Sequence, residues 1–152
     1  MIYLASDHRG FELKEKIKGW LQEWNYKSED LGPFEYNKDD DYPDFAAAVG
    51  NAVALSLSNG KPSRGILVCG SGEGIAIAAN KIDGIRAGTV MNSEQAKAGV
   101  HDEDMNVIAL SSDFLAEGKA KEIVKSFVEA EFGNEERYNR RLEKIKNLEE
   151  NN

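Results

Sequence analysis

The sequence predicts an α/β fold in which a five-stranded parallel sheet carries helices on both faces. Strand-like and helix-like patterns alternate along the 152 residues, as parallel strands with helical crossovers require. A central run, Ile66-Leu-Val68, is short and fully apolar, which is typical of a strand buried on both sides. No internal repeat or linker divides the chain, so we expect residues 1–152 to form a single domain.

Local periodicity and turn residues predict the individual elements. The helix at 11–24 has apolar residues at helical spacing, and the helix at 42–57 has Pro43 in its first turn. Asn134 is a candidate N-cap for the last helix. The loop at 32–41 contains an acidic run that we expect to be solvated. We expect strands at 2–5, 26–31, 66–68, 85–91 and 106–110. We expect helices at 11–24, 42–57, 75–79, 93–99, 114–132 and 134–149.

The segment after the central strand, Cys69-Gly-Ser-Gly-Glu-Gly74, has the composition of an anion-binding loop. Its three glycines remove side chains where the backbone must turn tightly or touch a ligand. A helix begins directly afterwards, so free N–H groups and the positive end of the helix dipole face the loop. Cys69 is the only cysteine, and a thiol in such a place tends to form a reactive thiolate. A simply buried core cysteine is the alternative interpretation.

Three well-known phosphate-binding loops do not fit this segment. The dinucleotide fingerprint would need its third glycine at Ile75, and no acidic residue lies near Met91 to bind a ribose. The P-loop needs Gly-Lys followed by Ser or Thr, and the segment has no such sequence. A phosphatase-type Cys-x5-Arg loop would need arginine at Ile75. The pattern therefore favours a thiolate beside an anion hole.

Composition excludes several classes of partner. The formal charge of −8, with no basic stripe, argues against a nucleic-acid surface. No apolar run approaches the length of a membrane span, and the first apolar run is too short for a signal peptide. A single cysteine allows no internal disulfide and fits a reducing compartment. We therefore expect a cytoplasmic protein that binds neither nucleic acid nor membrane.

Two further groups of residues are candidates for the same site. The carboxyl ends of parallel strands share one edge, so Asp7 and His8 should lie near Cys69. On the last helix, Arg137 and Arg141 are four residues apart and share a face that could clamp a phosphate. A merely solvated charged face is the alternative. The apolar side of this helix needs a covering surface, and a partner subunit is one candidate.

Together these motifs resemble the family of ribose-5-phosphate isomerase B and the galactose-6-phosphate isomerases. The resemblance covers nearly the whole chain. It rests on Ser6-Asp-His-x-Gly-Phe-Glu-Leu-Lys14, Asp41-Tyr-Pro-Asp44, Cys69-Gly-Ser-Gly-x-Gly74, Ala78-Ala-Asn-Lys81, Gly84-Ile-Arg86 and Arg137-x-x-x-Arg141. It implies a Rossmann-like three-layer sandwich, a homodimer or tetramer with active sites between subunits, and no metal or cofactor. It also implies aldose–ketose isomerisation of a sugar phosphate through an enediolate, ribose 5-phosphate being the expected substrate, as in the pentose phosphate pathway.

The resemblance implies a role for each matching residue. Cys69 would be the base that moves a proton between C1 and C2, as in the relatives that do not have glutamate at the place of Ile75. Ser71 and the loop N–H groups would hold the enediolate oxygen. Arg137 and Arg141 would bind the phosphate in the partner subunit's site. The other expected substrate contacts are Asp7, His8, Arg9, Tyr42, Gly70, Gly72, Glu73, Gly74 and Glu103.

The chain departs from the family pattern ahead of the fifth strand. Asp102 stands where the family has the histidine thought to open the sugar ring, and His101 is one position early. We expect His101 to take this role, with Asp102 as the other candidate. Glu103 replaces the neighbouring asparagine, and Asp113 replaces an arginine that some relatives use for phosphate. Two other functions stay open: a hexose 6-phosphate isomerase, and a non-catalytic sugar-phosphate or nucleotide-binding module, although the latter would not need Cys69.

Overall fold

The computed structural model describes residues 1–151, which form five strands and six helices. The strands are β1 (Ile2–Ser6), β2 (Ser28–Asp30), β3 (Arg64–Cys69), β4 (Ala87–Thr89) and β5 (Val107–Ser111). The helices are α1 (Phe11–Glu23), α2 (Tyr42–Ser58), α3 (Glu73–Ala79), α4 (Ser93–Glu103), α5 (Glu117–Glu129) and α6 (Glu136–Glu150). Strands and helices alternate until β5, after which α5 and α6 follow one another.

All five strands pair in parallel, in the order β2-β1-β3-β5-β4. The central strand β3 lies between β1 and β5, with Ser6 opposite Val68 and Cys69 opposite Ser111. The predicted Rossmann-like α/β fold with a five-stranded parallel sheet is therefore confirmed. The carboxyl ends of β1, β3 and β5 lie side by side at one edge, which we call the catalytic edge because the sequence predicts the catalytic residue Cys69 there. The amino ends form the opposite edge.

The core consists of two layers that β3 separates. Side chains of β3 point alternately into the two layers. Ile66 and Val68 lie in the layer under α1, α4 and α5, whereas Leu67 and Cys69 lie in the layer under α2 and α3. Both faces of the sheet are thus covered, as the apolar run predicted. Cys69 ends the strand on the α2–α3 side. Within residues 1–151, no helix combines the length and apolar character needed to cross a membrane.

Helix α4 is longer than expected, and this changes the setting of the predicted ring-opening residues. We expected it to end near Gly99, but it continues to Glu103 and ends at Asp104 in a left-handed conformation with φ +45°. Gly99 is needed inside the helix because a Cβ there would lie 2.7 Å from Cε of Met105. His101 and Asp102 therefore lie in the last turn of a helix.

Other boundaries also differ from the predictions. Asn134 is not a cap: its φ is +51°, and α6 begins at Glu136 after Glu135, whose side chain makes no capping bond. The edge strands β2 and β4 are shorter than the predicted strands at 26–31 and 85–91, and each pairs with one neighbour only, over three residues. Helix α5 is shorter than 114–132 because Phe114 N–H bonds the Ser111 hydroxyl in a turn before the helix begins.

The close approach of α1 to β3 gives a testable prediction. A Cβ at Gly10 would lie 2.6 Å from the carbonyl oxygen of Val68, whereas Gly19, exposed on α1, has nothing within 4 Å. Gly10→Ala should lower the free energy of unfolding by about 1–3 kcal/mol through overpacking. The control Gly19→Ala should raise it by about 0.5–1 kcal/mol through helix propensity. Urea denaturation measures both, and an unchanged midpoint for Gly10→Ala would contradict the packing described.

Candidate active site

The centre of the site is the loop between β3 and α3, residues 69–74. Cys69 is buried, with 4% of its surface exposed, and its sulfur accepts the backbone N–H of Gly72 at 3.1 Å. Gly72 has φ +84°, a left-handed conformation that glycine adopts without strain. This conformation turns the chain so that an amide dipole points at the sulfur. The predicted arrangement of strand, glycine loop and helix N-terminus around the thiol is present.

Ser71 and Glu73 lie on the exposed side of this loop. The Ser71 hydroxyl accepts the N–H of Glu73 at 3.2 Å, which satisfies one of the free donors in the first turn of α3. Tyr42, the first residue of α2, borders the loop from the other side, because a Cβ on Gly74 would lie 2.8 Å from its ring carbon Cζ. We expected Tyr42 to contact the substrate, and its ring lies next to Gly74 of the loop.

Asp7 follows β1 directly after Ser6, which lies opposite Val68 of β3. Its backbone N–H donates to the Val68 carbonyl at 3.1 Å, and its Oδ1 accepts the N–H of Gly10 at 3.0 Å. Only 5% of its surface is exposed. Burial raises the pKa of the Asp7 carboxyl above its usual range, and this effect outweighs the Gly10 hydrogen bond, which lowers it. A buried acid thus lies at the carboxyl end of β1, where its backbone is bonded to the residue that precedes Cys69.

His8, the next residue, is held by a carboxylate that the sequence did not indicate. Oδ1 of Asp40 accepts the His8 backbone N–H at 2.9 Å and lies 2.7 Å from Nδ1 of its ring. The prediction that the acidic run is solvated is wrong for Asp40, whose side chain is only 8% exposed, whereas Asp39 and Asp41 are exposed. Asp40 turns inward because the His8 donors lie there; within three consecutive aspartates, nothing in the sequence distinguishes it.

Arg9 covers the loop from the side of β1. Its guanidinium forms an ion pair with Asp113, which follows β5, and a Cβ on Gly70 would lie 2.5 Å from its Cζ. Asp113 itself is fixed because its N–H donates to the Gly70 carbonyl at 3.1 Å. The Arg9 guanidinium, which follows β1, therefore lies over the loop, and Asp113, which follows β5, is the acid that holds it there. The role of Asp113 was not foreseen from the sequence.

A second group of predicted residues lies at the opposite edge of the sheet. His101 and Asp102 form a pair at 2.7 Å between Nδ1 and Oδ1, and this contact lowers the pKa of the Asp102 carboxyl. The Glu103 carbonyl accepts a hydrogen bond from Nε of Arg86 at 3.0 Å, and Arg86 is the residue immediately before β4. Both side chains of the pair are about half exposed. The last turn of α4 is therefore fixed near the amino ends of the strands.

The arginines of α6 belong to this second group. The ring of Tyr138 meets the His101 ring edge-on at 5.5 Å, and Arg137 donates to the Tyr138 hydroxyl at 3.1 Å. Arg141 lies one turn further along α6 and is exposed. The contact between the His101 and Tyr138 rings thus joins the end of α4 to the start of α6. We call the predicted site residues of these two segments, His101, Asp102, Glu103, Arg137 and Arg141, the arginine cluster.

The two groups do not meet within one chain. Residue Val107 marks the amino end of β5 and Ser111, opposite Cys69, its carboxyl end. Four residue steps at about 3.3 Å each separate these ends by roughly 13 Å. Asp7, His8, Arg9, Tyr42 and the loop 69–74 lie together at the catalytic edge. Within residues 1–151, no group of three or more His, Cys, Asp or Glu side chains is arranged to hold a metal ion.

Comparisons with known proteins agree with this architecture. The family model described as ribose/galactose isomerase matches residues 2–145. The ribose-5-phosphate isomerase B of Mycolicibacterium paratuberculosis is 34% identical over 142 residues, which cover 93% of this chain and 87% of that protein. Among solved structures, ribose-5-phosphate isomerase B of Mycoplasma genitalium with bound ribulose-5-phosphate has a TM-score of 0.92 at 37% identity, covering 99% of this chain and 97% of that one. The type B enzyme of Trypanosoma cruzi has a TM-score of 0.92 at 31% identity and covers 99% of both chains.

Burial of Asp7 predicts a pH-dependent stability effect. Because its pKa is raised in the folded state, the folded chain holds this proton more tightly than the unfolded one. Its contribution is therefore greatest at acidic pH and is lost as the pH rises through the folded-state pKa. Asp7→Asn keeps an oxygen for the Gly10 N–H without the buried charge. It should raise the melting temperature by a few degrees at pH 7 and by less at pH 4.

Thermal melts of Asp7→Asn and wild type at both pH values test this, with the exposed Asp39→Asn as a control for the loss of one surface charge. A gain of the same size at both pH values would contradict the assigned pKa direction.

Proposed function

The chain belongs to the ribose/galactose isomerase family, and on that premise we propose that it interconverts ribose 5-phosphate and ribulose 5-phosphate. The observation that carries the proposal is the buried Cys69 thiol with the Gly72 N–H at its sulfur, at the carboxyl end of the central strand. A binding module needs the loop but has no use for a thiol there. The names of the relatives support the choice of substrate.

The proposed chemistry is a proton transfer next to a carbonyl group. The Cys69 thiolate takes the proton from C2 of the open-chain aldose, and the carbonyl electrons move to O1 as an enediolate forms. The loop N–H groups and Ser71 hold this oxygen, an arrangement that stabilises charge where it develops. The hydroxyl proton passes from O2 to O1, and the thiol returns its proton to C1. The product is the ketose, and the thiolate is restored.

Phosphate binding is the task we propose for the arginine cluster of a second copy. Arg137 and Arg141 cannot approach the Cys69 of their own chain, because the length of β5 lies between them. Helix α6 buries only Tyr138 of its fifteen residues and exposes Ile145 and Leu148. A homodimer in which α6 reaches the partner subunit's catalytic edge would use both features. Two arginines one turn apart suit the bidentate binding of a phosphate.

Isomerisation of a hexose 6-phosphate is a second candidate, since the family model covers galactose as well as ribose isomerases. The changes at Asp102 and Asp113 alter positions where the relatives are expected to contact substrate. Turnover measured on matched pentose and hexose phosphates decides between the two. A cytoplasmic location is part of the proposal and rests on the single cysteine.

The role of Cys69 gives a direct prediction. Cys69→Ser keeps a small polar atom for the Gly72 N–H, but a hydroxyl is too weak a base at neutral pH. We expect kcat for ribose 5-phosphate to fall by about a hundredfold or more. The affinity for the sugar phosphate, measured by calorimetry, should change little because the loop N–H groups are intact. Cys69→Ala serves as the second variant, and turnover near that of wild type in the alanine variant would reject the base assignment.

A further inference from the structure

We propose that His8, oriented by Asp40, is the proton shuttle that opens the sugar ring before isomerisation. The inference rests on the function proposed above, and it differs from the expectation that His101 performs this step. Ribose 5-phosphate exists mainly as a furanose, because its O5 is esterified and O4 closes on C1. The C2 proton becomes acidic only when C1 is an aldehyde. A group near Cys69 must therefore move a proton from the C1 hydroxyl to the ring oxygen.

His8 has the hydrogen bonding that such a shuttle needs. We assign the ring proton to Nδ1, because a carboxylate oxygen accepts hydrogen bonds and Oδ1 of Asp40 lies 2.7 Å from that nitrogen. Nε2 of neutral His8 is then an acceptor, and within residues 1–151 it has no hydrogen-bond partner. The same Asp40 oxygen also accepts the His8 backbone N–H at 2.9 Å. Ring and backbone are thus fixed relative to one carboxylate.

The contacts with His8 explain why Asp40 turns inward, but they involve only one of its two carboxylate oxygens. Its side chain is 8% exposed, and its second oxygen, Oδ2, is buried without a hydrogen-bond partner. A buried carboxylate with a free oxygen costs free energy, so such a group calls for an explanation. Opposite Nδ1 it would stabilise the positive charge that His8 carries while it holds a substrate proton. This is how a buried aspartate assists the histidine of serine hydrolases.

Position favours His8 over His101. Ser6 lies opposite Val68, the residue before Cys69, and the N–H of Asp7 donates to the Val68 carbonyl. His8 is the next residue of the chain, so its backbone lies at the same edge of the sheet as Cys69. About a quarter of its side chain is open to solvent, and the Tyr36 ring lies edge-on to it at 6.3 Å. His101 lies at the opposite edge and reaches a Cys69 only from a second copy. Its carboxylate partner Asp102 is also half exposed.

The ring-opening step balances with His8 alone. Nε2 accepts the proton of the C1 hydroxyl, and the electron pair of that O–H bond forms the C1 carbonyl. The C1–O4 bond breaks, and its electron pair goes to the ring oxygen. The imidazolium then gives its proton to O4, which restores neutral His8. Cys69 removes the C2 proton only after this step.

The test separates ring opening from isomerisation. Ribulose 5-phosphate cannot form a furanose, so exchange of its C1 proton with D2O, followed by NMR, reports the Cys69 step without ring chemistry. His8→Asn places an amide where Nδ1 was and removes Nε2; Asp40→Asn removes the carboxylate that fixes Nδ1–H. On ribose 5-phosphate, kcat should fall by about a hundredfold in His8→Asn and by about tenfold or more in Asp40→Asn. C1 exchange, measured at saturating ribulose 5-phosphate, should fall far less than kcat on ribose 5-phosphate in both variants.

Asp39→Asn, in the same loop but exposed, is the matched control and should change neither rate. His101→Ala should lower neither rate selectively. Equal loss of both rates in His8→Asn, or a selective loss only in His101→Ala, would overturn the inference while the isomerase assignment stands. A wild-type chain that neither isomerises ribose 5-phosphate nor exchanges the C1 proton would overturn the proposed function and this inference together. Turnover of 4-deoxyribose 5-phosphate, which has no ring oxygen, gives the same comparison through product formation.

Discussion

The parallel register of β1, β3 and β5 is the constraint on which the catalytic edge depends. Because Ser6 lies opposite Val68 and Cys69 opposite Ser111, the residues that follow all three strands emerge next to one another. Asp7, Arg9 and Asp113 come from distant parts of the sequence, yet each contacts the segment from Val68 to Gly70 or a group bound to it. A shift of register by one residue would turn Cys69 to the other face of the sheet.

Charges around the Cys69 loop are supplied in pairs. Arg9 is held by Asp113, and His8 by Asp40, so each of these two basic side chains near the thiol has its own acid. The chain as a whole is strongly acidic, with a formal charge of −8, and a phosphorylated substrate must therefore meet positive charge that is gathered locally. The exposed Arg137 and Arg141 of α6 supply such charge, but at the opposite edge of the sheet.

Sequence reasoning predicted the features that depend on local pattern. The apolar run of β3, the glycine loop and the shared edge of Asp7, His8 and Cys69 followed from periodicity and from the geometry of parallel sheets. Contacts that depend on tertiary placement did not follow. Which aspartate of the run at 39–41 turns inward is decided by the His8 donors, and the partner of Arg9 lies 104 residues away. The extension of α4 past Gly99 depends on the packing of Met105, which no local propensity indicates.

Separation of the two edges is what makes a second copy part of the account. The most direct measurement mixes two disabled chains, Cys69→Ala and the double variant Arg137→Ala/Arg141→Ala, carrying different affinity tags. In a mixed dimer, one site combines both lesions, whereas the other combines an intact Cys69 loop with an intact α6. Each parent should be nearly inactive, and the mixed species purified on both tags should recover about half of the wild-type activity per dimer. A mixed species as inactive as its parents, or a chain that is fully active as a monomer, would contradict the account.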